Sequence, residues 1–249
     1  MKWINRTLVQ APRNGTSAHT VSFTPAAAGS LLVCVAEGSV TSTTPSGWTL
    51  PFGGSAINNT GLYVWWKVAT AGEASLSTTH NGSNYPVAFV VYEFPAGSSF
   101  LGSVSAIGIG QNAANPIIED LTGTNLVVGV FGGVVTGVST AVTTWTGAGS
   151  PIKDVDVNAP ASGTDGYIMS LAYVESFTGT SWQPTGIPSG GNLPPSKETL
   201  TFAVSVAAGG GTPTALQVSY VAAGIVHAGE LFYWDGVTRH DLNYVHRVP

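Results

Sequence analysis

No window of eleven or more residues in this 249-residue chain carries a 3.6-residue apolar period with helix-forming residues on the opposite face. That absence constrains the fold more than any motif. Glu, Lys, Arg and Gln, which normally cover the wet side of a helix, are scarce, while β-branched Val, Ile and Thr abound. Short apolar runs recur instead, separated by Gly, Pro, Asn and Ser clusters. They span Ser30 to Ala36, Leu62 to Val68, Ala74 to Thr78, Val87 to Phe94 and Asn125 to Phe131. Tyr167 to Val174, Glu198 to Ala207, Leu216 to Ala222 and Glu230 to Trp234 continue the series. The chain reads as all-β.

Some of these runs alternate. Leu200, Phe202, Val204 and Val206 point one way along their strand, while Thr201, Ala203 and Ser205 point the other. LLVCV and LVVGVF are apolar in both registers, as expected of strands buried on both faces or covered by a neighbouring subunit. The mixture suits two sheets packed face to face. A faint repeat accompanies it. Gly29-Ser-Leu-Leu-Val-Cys-Val, Gly47-Trp48-Thr49 and Leu62 to Val68 return in order as Gly123 to Val130, Thr144-Trp145-Thr146 and Tyr167 to Val174. The expectation is one sandwich over residues 1–209, in which each half supplies comparable strands to both sheets. Thr185 to Ser196 reads as a long surface loop. Residues 210–249 form a C-terminal extension, where Asp235-Gly236 marks a hairpin.

Charge narrows the function classes. Charged residues make up 8% of the chain, where about 25% is usual. Eight Lys and Arg stand against thirteen Asp and Glu, for a net charge of −5, and no Lys or Arg falls between Lys67 and Lys153. Nucleic-acid binding has no electrostatic footing on such a surface. The longest apolar run, Leu126 to Val135, is too short to cross a bilayer, so no membrane insertion is expected. Cys34 is the single cysteine, which excludes an intrachain disulfide and reads as a small buried hydrophobe.

The chemical motifs are few. Gly108-Ile-Gly110-Gln-Asn-Ala113 matches a dinucleotide fingerprint in letters, but Asn115-Pro116 follows where a helix is required, so it reads as a connection between the halves. Asp154, Asp156, Asn158 and Asp165 partly resemble a calcium loop, with Ala159 where the turn needs glycine and no bidentate glutamate. Alternating Asp and Val also reads as an exposed edge strand. Among His19, His80, His227, His240 and His246, His240 and His246 alone flank a common stretch, and both read as exposed or interface residues. Paired carboxylates for glycoside cleavage meet only in space. Glu93 and Glu175 lie in strands and read equally as edge or interface residues. No catalytic, cofactor or metal residue is assigned, and the chain is expected not to be an enzyme. Trp65 and Trp66 must face opposite ways, so one is expected to meet solvent, covering loops, a sugar or another subunit.

Gly29 to Val35, Pro45-Ser-Gly-Trp-Thr-Leu50, Leu62 to Val68, Val87 to Phe94 and Asn125 to Val130 resemble a family of β-sandwich proteins of tailed-bacteriophage virions, the minor tail proteins. Tyr233-Trp-Asp-Gly-Val-Thr-Arg239 is similar to the short hairpin that ends many phage tail and fibre chains. The resemblance covers roughly residues 20 to 208 and 230 to 242 and implies a jelly-roll-like sandwich. It also implies a non-enzymatic virion component, made in the host cytoplasm, that assembles with copies of itself and other virion proteins in tail assembly or host attachment. A host-surface glycan is a further candidate partner, and a carbohydrate-binding module or a capsid decoration protein are the rival assignments.

Overall fold

The computed structural model describes residues 2–11, 18–39, 43–51, 55–57, 60–79, 87–109, 114–136, 142–159, 165–189, 196–207, 231–234 and 239–242. Among them no helix is long and apolar enough to cross a membrane, and the regular structure is entirely β. The first half of the chain supplies β1 (Asn5–Ala11), β2 (Ala18–Ala26), β3 (Leu31–Ser39), β4 (Ser55–Ile57), β5 (Thr60–Val68), β6 (Glu73–Thr79) and β7 (Val87–Phe94). The second half supplies β8 (Ser99–Ile109), β9 (Asn125–Thr136), β10 (Val142–Thr146), β11 (Ile152–Ala159), β12 (Asp165–Phe177), β13 (Thr185–Ser189) and β14 (Ser196–Ser205). A separate hairpin pairs β15 (Leu231–Trp234) with β16 (Arg239–Leu242), flanking the Asp235-Gly236 dipeptide. The Leu216 to Ala222 run lies outside the described residues.

Two five-stranded antiparallel sheets form the sandwich. Their orders are β1-β7-β3-β5-β4 and β11-β12-β9-β14-β8. Leu31, Val33, Val35, Val64, Val90 and Phe94 of the first sheet meet Leu126, Val128, Val130, Leu171, Phe202 and Val204 of the second in one dry core. The alternate residues are buried as well. Leu32, Cys34, Ala36, Trp65, Phe89 and Val91 lie under Val21, Ala26 and Leu76 of the β2–β6 pair. Val127, Val174 and Ala203 lie under Ile118, Leu121 and Trp182, and Phe131 and Ile168 lie against Trp145 of β10, which pairs with β13. The strands apolar in both registers are therefore covered inside the chain: two central sheets, each with its own outer cover.

The repeat has a different structural meaning from the one expected. Each half builds one sheet and its cover, and the chain crosses between sheets at Pro95–Ser98, where Ser98 N donates to Pro95 O at 3.1 Å. Mapping β1, β7, β3, β5 and β4 onto β8, β14, β9, β12 and β11 reproduces the strand order, so the two sheets share one arrangement. Local pairing explains it: β3 pairs with β5 and β7 of its own half, as β9 does with β12 and β14, and short connections favour such neighbours. The jelly-roll-like expectation holds as two stacked antiparallel sheets, while the strand order is that of a duplicated unit. Thr185–Ser189 is strand β13, so the expected surface loop is shorter. Gly108 and Ile109 end β8, with Gly108 opposite Lys197, and the rest of that motif lies outside the described residues.

Trp65 and Trp66 do face opposite ways, but neither needs a partner from outside. Trp65 is fully buried in the outer layer, stacked on Tyr63 at 5.6 Å, and half-buried Trp66 stacks on Phe100 at 5.8 Å against the inner core. Trp182 is sealed in the opposite outer layer and donates to Ala148 O at 2.9 Å. Truncating Trp65 or Trp182 to Ala is expected to cost about 3–5 kcal/mol each. Because the two sit in separate outer clusters, the double variant should lose nearly the sum in denaturant unfolding. Strong coupling between them would show that the two covers are not independent.

Candidate functional site

Glu37 and Glu198 are the two glutamates that the inter-sheet core encloses. Glu37 continues the inward-facing series Leu31, Val33, Val35 at two-residue spacing, and Glu198 begins the series Leu200, Phe202, Val204. Glu37 is 0% and Glu198 1% exposed. In the first sheet Glu37 pairs with Ala88; in the second, Gly132 pairs with Glu198. Each sheet thus carries one glutamate and one small residue at this level, in exchanged strands. The absent side chain of Gly132 makes the room. A methyl group there would collide with the Glu37 carboxyl group. Burial first, and then the charge of Glu198, push the Glu37 carboxyl well above the usual carboxylate range. Neither Glu37 oxygen accepts a hydrogen bond. Both side chains are closed off from solvent, and the protonated form of Glu37 is the favoured one.

A second polar constellation joins the sheets at their other edge. Arg6 of β1 donates to Asp154 Oδ1 of β11 at 2.6 Å and to its carbonyl at 3.1 Å, while the Tyr92 hydroxyl of β7 donates to Asp154 Oδ2 at 2.8 Å. Burial, followed by the Asp154 charge, raises the Tyr92 hydroxyl well above its ordinary range, so it remains a donor. Trp3 packs on Tyr92 and Tyr173 at 4.7 and 4.8 Å, and Lys2 lies over the Trp3 ring at 5.2 Å.

This network accounts for the residues read as a partial calcium loop. Asp154 is held by Arg6 and Tyr92, and Asp156 by Lys153 at 2.9 Å and the Thr143 amide at 3.2 Å. Both belong to edge strand β11. Asp165 begins β12, at the opposite end of the pairing from Lys153 and Ala172. Residues 160–164, between β11 and β12, lie outside the described residues, and among the described residues no group of three or more His, Cys, Asp or Glu could hold a metal ion.

Glu93 is neither an edge nor an interface residue. It is 4% exposed and accepts from Asn5 Nδ2 at 2.6 Å and from the Ala27 amide at 3.1 Å, tying β1 and the turn before β3 to β7. Glu175 is half-buried on β12. His19 is half-buried on β2, its ring centroid 6.2 Å from that of Phe89, and burial lowers its pKa. His80, His227 and His246 lie outside the described residues, and His240 belongs to β16. Burial pushes the Cys34 thiol strongly up, in keeping with an inert hydrophobe.

An open groove of about 470 Å3 runs between β8 and the stretch from Ile117 to Thr122, with Leu101, Val104 and Ile117 on its apolar side and Glu119 and Asp120 at its rim. Leu101 and Ile117 are 46% and 41% exposed. The carboxyl pair was missed because Glu37 lies one residue beyond the strand read as ending at Ala36. Continuing the two-residue period by one step would have placed it inward. Comparison with protein families finds no match to this chain. Curated proteins offer none, and no solved structure matches it.

Asp154→Ala is expected to destabilise the sandwich by about 1–3 kcal/mol, because the buried Tyr92 hydroxyl loses its acceptor. The loss should be smaller in a Tyr92→Phe background, and a thermodynamic cycle by urea unfolding measures the difference.

Proposed function

We propose that this chain is a non-enzymatic structural protein that assembles with copies of itself, in the setting the sequence resemblance implies: a tailed-phage virion, as a minor tail component. The observation that carries the reading is the character of strand β8. Four strands end the two sheets, and three of them are guarded against further pairing. β1 carries Arg6, β11 carries Lys153, Asp154 and Asp156, and β4 has only three residues. β8 has eleven residues (SFLGSVSAIGI), none of them charged and none proline. Among the described strands it pairs with β14 on one side alone. A long neutral edge of this kind is the template on which another strand adds, and soluble monomers usually blunt it. The exposed side chains of Leu101 and Ile117 beside it add apolar area to the same face.

The sugar-platform alternative needs a row of exposed indoles. Trp48, Trp65 and Trp182 are buried, and Trp3, Trp66 and Trp145 are half-buried against the chain's own core, so these six tryptophans lend it no support. A capsid decoration protein would use the same edge on a different lattice, and imaging intact particles separates the two.

The purified full chain is expected to self-associate reversibly in sedimentation velocity. Leu101→Lys combined with Ile117→Lys should weaken that association roughly tenfold or more, since charge placed on a desolvated interface is costly. A wild-type chain that stays monomeric at high concentration, or association indifferent to both lysines, would count against the β8 edge as the assembly surface.

A further inference from the structure

We propose that β8 is its own partner: two copies of the chain join edge to edge through antiparallel β8 strands, related by a two-fold axis at Val104. The inference rests on the assembly reading above and names the partner and the register of that contact. Ser99–Ile109 is centred on Val104, so in this register the whole strand meets itself. Gly102 then lies opposite Ala106 of the second copy, and Ser103 lies opposite Ser105.

Two hydroxyl groups select the register. Ser103 and Ser105 pair within their own sheet with Phe202 and Leu200, which belong to the inter-sheet core, so both serines stand on the inner face. Their Oγ atoms are shielded from water, and neither has a hydrogen-bond partner. A shielded hydroxyl in that state is unfavourable, and a strand that supplies a partner relieves it. Directly opposed residues of an antiparallel pair share a face, so a symmetric contact can shift its axis only from one residue to the next. An axis at Ser103 sets that serine against itself but puts Ser105 opposite Leu101, which the ladder with β14 skips. An axis at Ser105 leaves Ser103 opposite position 107. The axis at Val104 gives each serine hydroxyl another hydroxyl across the strand boundary.

Charge favours the same choice. Among the strands that end the two central sheets, β1 carries Arg6, β11 carries Lys153, Asp154 and Asp156, and β4 offers three residues. A second β8 is the one long uncharged match. Antiparallel pairing also separates the acidic rims. Glu119 and Asp120 border the groove that Leu101 lines. With Leu101 opposite position 107, the two copies of Leu101 lie about 20 Å apart at about 3.4 Å per residue. That exceeds the screening length of physiological salt, whereas an in-register parallel contact would set the rims side by side. Because β8 has one free side among the described strands, the contact closes at a dimer.

The test is sedimentation velocity of the full chain carrying Ser103→Ala, Ser105→Ala or both, each variant alone and the two single variants mixed. Either single substitution removes both hydroxyl pairs of a symmetric dimer, so each should weaken association roughly tenfold. The double variant should be no weaker than either one. An equal mixture of the single variants retains one intact pair per mixed dimer, so mixed dimers should exceed the statistical half. Urea unfolding of the dilute monomer should show no loss of stability, because no bond within a chain is removed. Additive losses in the double variant, a loss confined to one serine, or a merely statistical mixture would overturn the Val104 register. So would destabilised monomers, or growth beyond the dimer through this edge. Where any of these accompanies association that Leu101→Lys with Ile117→Lys still weakens, the assembly reading stands without the register. A wild-type chain that stays monomeric overturns both.

Discussion

The structure depends on burying both faces of its central strands. In β3, Leu31, Val33 and Val35 enter the inter-sheet core while Leu32, Cys34 and Ala36 enter the outer layer, and all six are almost fully enclosed. A sheet with two apolar faces cannot stop at a two-layer sandwich, because the outer faces would remain in water. Each central sheet therefore takes a cover from its own half of the chain: the β2–β6 pair on one side, and β10, β13 and the stretch around Ile118 on the other. The low charge content follows in part, since much of the sequence has no solvent face to present.

Such a core must be joined where the sheets meet, and two joints there use charged residues. At one edge, Asp154 accepts from Arg6 and from Tyr92, so a single carboxylate fixes β11 against β1 and β7. Deeper in the sandwich, Glu37 lies over Gly132, close to Glu198. The two joints differ in kind. The first pairs opposite charges at a half-wet edge, where ionisation is compatible with the fold. The second puts a buried carboxyl group beside a like one, where burial and the Glu198 charge favour the protonated form of Glu37.

The proposed assembly role rests on a contrast between edges. A fold that carries charge on β1 and β11 and shortens β4, yet leaves β8 long and neutral, treats one edge differently from the others. The shared strand order of the two sheets sharpens the point, since β8 holds the place that β1 holds in the other sheet. The charge on β1 includes Arg6, which is engaged across the sheets, and β8 has no corresponding residue.

The sequence by itself determined the all-β class, the main central strands and the duplication, because two-residue alternation, β-branched content and a repeat spacing are properties of the chain. It also contained the signal for Glu37 and Glu198, at inward positions of otherwise apolar series. It could not reveal that each half keeps its strands in one sheet, that Trp65 is covered by β2 and β6, or that Ser99–Ile109 is an edge strand. Alternation states that a face is buried and never by what. The meeting of the two glutamates was decided by tertiary structure alone. They stand 161 positions apart in the chain, and stacking one sheet on the other brought Glu37 against the bare backbone of Gly132.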